Sequence, residues 1–265
     1  MIRFAEPSDQ DAVRSLWEKC FPDEGGFNEY FFAHFFDIRR VLLSVAENRL
    51  CAMVQMLPYR MAGKSGIQQL TYIYGACTDP DCRRQGHMAR LLEYSFELDR
   101  KNGVAASALI PAEKWLFDFY RPFGYLPFFK IVRGTLYREK GGIRPRRLTE
   151  ADAASLQTIY ESRTPACHII RSEAYWQGQI RLFNTIGAGA FGWEESGKLA
   201  AYAFCWKDFA QEAIGLTDER EQGLLLALGC DALSYAACGG AEALGCIKWY
   251  KQTDCADGYM NLMLN

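Results

Sequence analysis

The feature that most constrains this chain is an internal repeat. Segments of the first half have counterparts in the second half, in the same order. A helix-start signal, Ser8-x-x-Asp11, is matched by Thr149-x-x-Asp152, and the closing "GYMNLMLN" matches "GYLPFFKI". Because the period is about half of the chain, the repeat predicts a tandem duplication and not a solenoid of short units.

Three further pairs of segments extend the repeat between these two matches. They are "FNEYFFAHF" with "SEAYWQGQI", "VAENRLCAMVQ" with "WEESGKLAAYAF", and "YGACTDPDCRRQGHMARLL" with "IGLTDEREQGLLLAL". A basic segment rich in glycine and proline, "REKGGIRPRR", has the composition of a linker between the halves. We therefore predict a first domain over residues 1–138, a linker over 139–145 and a second domain over 146–265.

Each half mixes strand patterns with helix patterns. Apolar runs such as "QLTYIYGACT" and "AASALIP" are typical of buried strands, and the segment from about Gly86 to Asn102 has the pattern of a helix. These elements predict an α/β fold of the α+β kind, with a mixed sheet in each domain.

The two copies differ most at one turn between a strand and a helix. The first copy, "DPDCRRQG", has two arginines, and the second, "DEREQG", is two residues shorter with one arginine and two glutamates. Free N–H groups at the start of a helix can bind a phosphate, and Gly86 would let the backbone approach it closely. The alternative for Arg83 and Arg84 is a solvated basic turn. Since acidic neighbours repel phosphate, we expect a phosphate site in the first copy and its loss in the second.

This turn resembles the signature of the GCN5-related N-acetyltransferases, Arg/Gln-x-x-Gly-x-Gly/Ala. It reads Arg83-Arg84-Gln85-Gly86-His87-Met88, with Met88 in place of the usual small residue and Ala89 after it. The apolar residue at that place and the tandem layout resemble the enhanced-intracellular-survival type of acetyltransferase. The resemblance covers residues 2–137 and is faint beyond. We expect this chain to lack the C-terminal domain of that subgroup.

The resemblance implies two tandem acyl-CoA N-acyltransferase folds, the second degenerate, and acetyl-CoA as cosubstrate. Backbone groups of Ala76, Cys77 and Thr78 would bind the pantetheine arm and the acetyl carbonyl. Arg83 and the amides of the following residues would bind the pyrophosphate, namely those of Arg84, Gln85, Gly86, His87, Met88 and Ala89. An amine would then attack the thioester directly, because the enzyme holds both reactants together.

A second motif, Tyr120-x-x-x-Gly124-Tyr125, resembles the pattern that follows the fifth strand in this family. The resemblance implies that Tyr120 protonates the departing CoA thiolate, and the alternative is a core tyrosine. Glu113 is a candidate general base acting through water, and the alternative is a helix-start glutamate favoured by the helix dipole. The C-terminal carboxylate of Asn265 is a further candidate, taken from the resembling subgroup.

Composition limits the classes of binding partner and the cellular location that we expect. A net charge of −2 disfavours nucleic acid, no apolar run is long enough to span a membrane, and the first residues lack a secretory leader pattern. The ten cysteines form no Cys-x-x-Cys motif, so we expect reduced thiols, no metal site and a cytoplasmic protein. The oligomeric state stays open between monomer and homodimer.

Three functions are compatible with these patterns. The first is an acetyl-CoA-dependent N-acetyltransferase acting on a small-molecule or peptide amine. The second is a catalytically silent acyl-CoA-binding sensor or interaction module, because the second copy indicates that such a site can be lost. The third is an aminoacyl transferase using charged tRNA on a similar duplicated fold, which the net charge of −2 disfavours.

Overall fold

The computed structural model describes residues 1–23, 25–139 and 141–262. Within them the strands and helices are labelled in chain order. The strands are β1 (Ile2–Phe4), β2 (Val41–Ala46), β3 (Arg49–Gly63), β4 (Gly66–Thr78), β5 (Ala106–Leu109), β6 (Leu126–Tyr137), β7 (Arg146–Arg147), β8 (His168–Ile170), β9 (Gly189–Glu195), β10 (Lys198–Cys205), β11 (Phe209–Ile214), β12 (Ala232–Cys238) and β13 (Glu242–Trp249). The helices are α1 (Gln10–Cys20), α2 (Phe27–His34), α3 (His87–Lys101), α4 (Leu116–Tyr120), α5 (Ala153–Arg163), α6 (Glu173–Thr185) and α7 (Asp218–Leu228).

The chain forms two compact units that do not coincide with its two halves. Unit 1 comprises residues 1–128 and 245–254, and unit 2 comprises residues 129–244 and the segment from residue 255 onward. The predicted domains follow the repeat in the sequence, whereas these units follow contacts in space. The division into 1–138, 139–145 and 146–265 therefore stays a prediction.

Unit 1 contains a mixed sheet with the strand order β1-β2-β3-β4-β5-β13. Neighbouring strands are antiparallel except for β4 and β5, which are parallel. Helices α1 and α3 pack against β3 and β4. Apolar side chains such as Val54 on β3 and Leu91 on α3 are fully buried and form the core of the unit.

Unit 2 repeats this topology in the order β7-β9-β10-β11-β12-β6. Among the described residues, the one parallel pair of neighbouring strands in this order is again the fourth with the fifth, here β11 with β12. In each unit the sixth strand is antiparallel to the fifth and comes from the other half of the chain. The predicted fold class, mixed α/β with a mixed sheet, is confirmed.

The start of each unit also repeats a polar contact. Arg3 on β1 donates two hydrogen bonds to the Asp9 carboxylate, at 2.6 and 2.8 Å. Arg146 on β7 does the same to Asp152, at 2.9 and 2.7 Å. The two pairs have the same separation along the chain, six residues in each case. The sequence repeat is thus matched by a repeated local structure.

One of the two helix-start predictions is wrong by two residues. Glu6, and not Ser8, is the capping residue, and its backbone N–H donates to Asp9 at 2.8 Å. The reason is Pro7, which begins a 3-10 turn before α1 and therefore moves the cap toward the N-terminus. The corresponding Thr149 signal in the second half is confirmed, because Thr149 caps a similar 3-10 turn.

The prediction that all ten cysteines are reduced is wrong for two of them. Cys167 and Cys255 form a disulfide within unit 2. They are 88 residues apart in the sequence but their Cα atoms lie 6.3 Å apart, so no local spacing could have indicated the pair. The other eight are free thiols. No helix within the described ranges is long and apolar enough to cross a membrane.

Candidate active site

The parallel strands β4 and β5 pair over only part of their length. Residues 70–72 pair with residues 106–108, and β4 then continues to Thr78 while β5 ends at Leu109. In the described part of the chain, the rest of β4 is paired with β3 alone. The opposite edge of β4 therefore carries backbone N–H and C=O groups that a ligand could satisfy. Ala76, Cys77 and Thr78 lie in this stretch.

A bulge at Gly75 precedes these residues. The register between β3 and β4 shifts between Met53 and Gln55, and Gly75 has a φ of 57°. A Cβ at Gly75 would lie 2.3 Å from Cζ3 of Trp17 and 3.0 Å from Nε2 of Gln55. Only glycine fits there without a shift of its neighbours. Trp17 on α1 therefore packs directly on the bulge that aims the end of β4.

The acidic residues after β4 have cationic partners. The Asp79 carboxylate accepts hydrogen bonds from the backbone N–H of Asp81 at 3.0 Å and from Lys19 at 3.0 Å. Arg49 approaches Asp79 to 2.9 Å and Asp81 to 2.8 Å. Burial opposes the shift, but these hydrogen bonds lower the pKa of Asp79 to about 2. Both carboxylates are thus neutralised by residues other than the two arginines that follow them.

The turn from Arg83 to Gly86 combines two left-handed residues with an uncapped helix start. Arg84 and Gly86 have left-handed backbones, with φ values of 61° and 77°. A non-glycine residue in that region is uncommon, and such strain concentrates at functional sites. Gly86 is the N-cap of α3, and no side chain of the residues described in the structure caps this helix start. Arg83 and Arg84 are exposed and form no ion pair within the described ranges. Uncapped N–H groups and two unpaired cations therefore meet at one helix start.

His87 faces away from this turn. Its side chain is buried, and Nδ1 lies 2.9 Å from Oγ of Ser44 on β2 and 3.2 Å from Nη2 of Arg90. Burial and the Arg90 charge lower the pKa of His87, so the ring is neutral at pH 7. The His87 side chain is therefore engaged away from the turn, and only its backbone N–H belongs to the start of α3.

The remaining residues of the signature, Gln85, Met88 and Ala89, contact the turn or the core beneath it. The carbonyl of Gln85 accepts a hydrogen bond from Arg90 at 3.1 Å, and its side chain donates to the carbonyl of Asp81 at 3.2 Å. Met88 packs against the apolar core of unit 1, and Ala89 is half-buried. The departure from the family pattern at Met88 is therefore accommodated by core packing on the inner side of α3.

Tyr120 is the last residue of α4 and packs in the same apolar cluster as Ala76. Its side chain is 7% exposed, and in the described part of the chain its hydroxyl forms no hydrogen bond. Burial, followed by the influence of Cys246 and Cys77, raises the pKa of Tyr120. The hydroxyl therefore stays protonated at neutral pH and lies close to the end of β4, as a general acid requires.

Glu113 is the candidate base that lies within the described residues. Glu113 is exposed just before α4, and its Oε2 accepts a hydrogen bond from Nε1 of Trp115 at 2.7 Å. Asn265, with the C-terminal carboxylate, lies outside the described residues. Within the described ranges, no group of three or more His, Cys, Asp or Glu side chains is arranged to hold a metal ion.

The corresponding turn of the second half has a different structure. Helix α7 begins at Asp218, so that Gly223 lies inside the helix, and its first turn carries three acidic residues. Arg220 is buried, donates to the carbonyl of Gly215 at 2.6 Å and forms an ion pair with Glu195. The arginine charge is therefore neutralised inward, and the helix start is acidic.

Sequence reasoning missed the residues that flank the bulge. A glycine inside a strand pattern is a known sign of a bulge, so Gly75 could have been singled out. Gln55 interrupts the apolar run "LCAMVQML", which is a signal of a polar group buried for a purpose. Trp17 could not have been placed from the sequence, because its contact with Gly75 joins α1 to β4.

Comparison with known proteins agrees with this geometry. Residues 1–128 match the Acetyltransferase (GNAT) domain family. No curated protein matches the chain. One similar solved structure is a conserved protein of Enterococcus faecalis V583 named as a probable N-acyltransferase, with a TM-score of 0.72 and 14% identity over 94% of this chain and 72% of that one. A GCN5-related N-acetyltransferase of Anabaena variabilis has a TM-score of 0.70 and 13% identity, over 93% of this chain and 72% of that one. Eis1 of Mycobacterium abscessus has a TM-score of 0.64 and 13% identity, over 94% of this chain and 73% of that one.

At these identities the solved structures establish the fold, and the fold they share spans nearly the whole chain. The likeness to Eis1 agrees with the subgroup that the turn around Met88 resembles, and the length of 265 residues fits two tandem folds of this kind. The domain match adds the family of the first half. Residues 1–128 thus match the Acetyltransferase (GNAT) domain family, and the chain as a whole has the fold of these similar solved structures.

Proposed function

We propose that this protein is an acetyl-CoA-dependent N-acetyltransferase that acetylates a primary amine by direct attack. The observation that carries the proposal is the open edge of β4, which leads into the uncapped start of α3 beside Arg83 and Arg84. An extended pantetheine arm would pair with Ala76, Cys77 and Thr78 in the manner of an added strand. The pyrophosphate would accept hydrogen bonds from the amides of residues 84–89.

The chemistry follows from this arrangement. The amine nitrogen attacks the carbonyl carbon of the thioester, a C–N bond forms, and the C–S bond breaks. Backbone N–H groups at the end of β4 stabilise the developing oxyanion. Tyr120 donates its proton to the departing thiolate, and a base removes the proton of the amine. Glu113, acting through water, is the candidate base among the described residues.

We further propose that the chain arose by tandem duplication and that the second copy lost its phosphate site. The equal strand order of the two units and the repeated contacts, Arg3–Asp9 and Arg146–Asp152, support the duplication. The acidic start of α7 and the inward Arg220 support the loss. We expect a cytoplasmic protein, monomeric or homodimeric, whose acceptor is a small-molecule or peptide amine.

The cofactor site is tested by reversing the charge of its two arginines. We expect Arg83→Glu/Arg84→Glu to weaken acetyl-CoA binding, measured by isothermal titration calorimetry, at least about tenfold, because two charge-assisted contacts are replaced by repulsion. Arg39→Glu/Arg40→Glu is the matched control, since these residues are also adjacent, exposed and in unit 1. Equal affinity of the two double variants for acetyl-CoA would show that Arg83 and Arg84 do not belong to the cofactor site.

Turnover separates an enzyme from a silent sensor. Release of free CoA thiol from acetyl-CoA is measured with a thiol reagent in the presence of a panel of primary amines. Amine-dependent release, with the acetylated amine identified by mass spectrometry, is expected for the enzyme. Tight binding of acetyl-CoA without release for any amine would favour the sensor.

A further inference from the structure

We propose that Gln55 binds the nitrogen of the acceptor, and that the acceptor is a primary amine carried on an aromatic or other apolar group. This inference rests on the proposed acetyl transfer and names the class of acceptor for the same site. It is carried by an unpaired buried amide, by its position at the bulge of β4, and by the aromatic residues around it.

The first observation is the state of the Gln55 side chain. Gln55 is 1% exposed, and within the described ranges neither its Oε1 nor its Nε2 has a hydrogen-bond partner. Its neighbours on β3, Met53 and Val54, are completely buried apolar residues. A buried amide without partners destabilises the fold, and native structures contain few of them. The residue therefore has no structural reason to be glutamine, and a ligand that pairs with it supplies one.

The second observation is the position of that amide. Its Nε2 lies 3.0 Å from the place that a Cβ of Gly75 would occupy, so the amide contacts the backbone of the bulge. Gly75 is followed by Ala76, the first residue of the strand end proposed to bind the thioester. An amine nitrogen held by Gln55 would thus be adjacent to the acetyl carbon that it has to attack.

The third observation is the aromatic environment. Tyr74 is opposite Gln55 in the register of β3 and β4, and its ring centroid lies 5.6 Å from that of Trp17. Phe31 of α2 stacks on Trp17 at 4.8 Å. The indole N–H of Trp17 donates to Oδ1 of Asn28 at 2.7 Å, so this N–H is already engaged and adds no polar group beside Gln55.

These surroundings define the ligand. Aromatic rings attract an apolar or aromatic group and, through their faces, an ammonium group before it loses its proton. The Oε1 of Gln55 accepts one N–H of the amine and leaves the nitrogen lone pair for the carbonyl carbon. Because the amide is so deeply buried, only an unhindered nitrogen can reach it, which selects a primary amine. A small polar amine lacks the aromatic contacts and would bind less tightly.

The experiment replaces the amide by an apolar side chain of nearly the same shape. We expect Gln55→Met to raise the KM for 2-phenylethylamine, or to lower kcat/KM, at least about tenfold, because a hydrogen bond to the reacting nitrogen is lost. Affinity for acetyl-CoA should be unchanged, and the melting temperature should be equal or higher, since an unpaired buried amide is removed. Ethanolamine should be a poorer substrate than 2-phenylethylamine for the wild-type protein.

Gln179 provides the matched control. It lies on α6 of unit 2 and is also 1% exposed, and its Oε1 has no hydrogen-bond partner among the residues that the structure describes. Gln179→Met should match Gln55→Met in melting temperature and the wild-type protein in acetyl transfer. The proposal is overturned if Gln55→Met acetylates 2-phenylethylamine with wild-type kcat and KM, or if ethanolamine is the better acceptor.

A binding measurement keeps this test separate from that of the proposed function. Calorimetric titration of 2-phenylethylamine into the protein saturated with CoA requires no turnover. If the wild-type protein binds the amine and Gln55→Met does not, but neither produces acetylated amine, acetyl transfer is wrong and the role of Gln55 stands. If the wild-type protein and Gln55→Met bind the amine equally, or neither binds it, the role of Gln55 is wrong whatever the activity.

Discussion

Tyr120 concentrates the chemistry of the candidate site in one side chain. Its ring is held in the core of unit 1, while in the described part of the chain its hydroxyl is without a hydrogen-bond partner. The hydroxyl oxygen itself is not fully buried, so it is available to donate a hydrogen bond to a ligand. The pKa of Tyr120 is raised by burial and then by Cys246 and Cys77, so the group is an acid and not a base at neutral pH.

We expect Tyr120→Phe to lower kcat about 100-fold with little change in the KM for acetyl-CoA, because only proton donation to the thiolate is lost. Steady-state kinetics with the amine held at saturation measures this. Tyr94→Phe, at an exposed tyrosine of α3, is the control. With an acetyl thioester of a more acidic thiol, the fall in kcat caused by Tyr120→Phe should be smaller, since that leaving group needs no proton. A full defect with that substrate would argue against the acid role.

At the scale of elements, the site depends on how β4 ends. The strand pairs with β5 for a short distance, bulges at Gly75 and then leads into the turn before α3. The bulge is fixed by the packing of Trp17 of α1 on one side, so one contact between elements sets the direction of the strand end. The open edge and the uncapped helix are consequences of this geometry, and together they form the candidate acetyl-CoA site.

Gly75→Ala should destabilise unit 1 through two effects that a second variant separates. Gly103 has a φ of 70° with nothing near its Cβ position, so Gly103→Ala should lower the free energy of unfolding by about 1–2 kcal/mol from backbone strain alone. Gly75→Ala adds the collision with Trp17, which should cost about 1–3 kcal/mol more. Urea unfolding measures both. An equal fall in the free energy of unfolding of the two variants would mean that Trp17 moves aside without destabilising the fold.

At the scale of the whole molecule, the two units share a topology but differ in what they bury. In unit 2, Arg171 and Glu212 form a completely buried ion pair with two hydrogen bonds, at 2.6 and 2.8 Å. Tyr202 donates to Glu212 at 3.0 Å, and Tyr259 donates to it as well. Glu212 is on β11, the strand that occupies in unit 2 the place of β4 in unit 1. The interior of unit 2 is therefore closed by its own side chains.

Breaking this ion pair should strongly destabilise unit 2. We expect Glu212→Leu to lower the free energy of unfolding by about 3–5 kcal/mol, because Arg171 is left as an uncompensated buried charge. The double variant Arg171→Met/Glu212→Leu should recover part of that loss. Glu150→Gln, which removes one partner of an exposed ion pair in the same unit, should change stability little. Urea denaturation measures all three, and a double variant weaker than Glu212→Leu would contradict this account.

Much of the fold could be predicted because its signals are local. The helix predicted from about Gly86 to Asn102 is His87–Lys101 in the structure, and the strand predicted before the arginine turn is β4. Apolar periodicity and capping residues act within a few positions of the chain, so a single sequence contains them. The helix start at Glu6 was misplaced because Pro7 introduced a 3-10 turn.

The sequence by itself determined the repeat, the mixed α/β class, the resemblance of the first half to the GNAT family and the turn that contains Arg83, Arg84 and Gly86. Only the tertiary structure decided that β6 and β13 complete the sheet of the opposite half and that Cys167 meets Cys255. It also decided that Gln55 is buried against Gly75, with no hydrogen-bond partner among the described residues. The physical reason is range. Each of these outcomes is a contact between residues distant in the chain, set by which apolar surfaces pack together and not by any local preference.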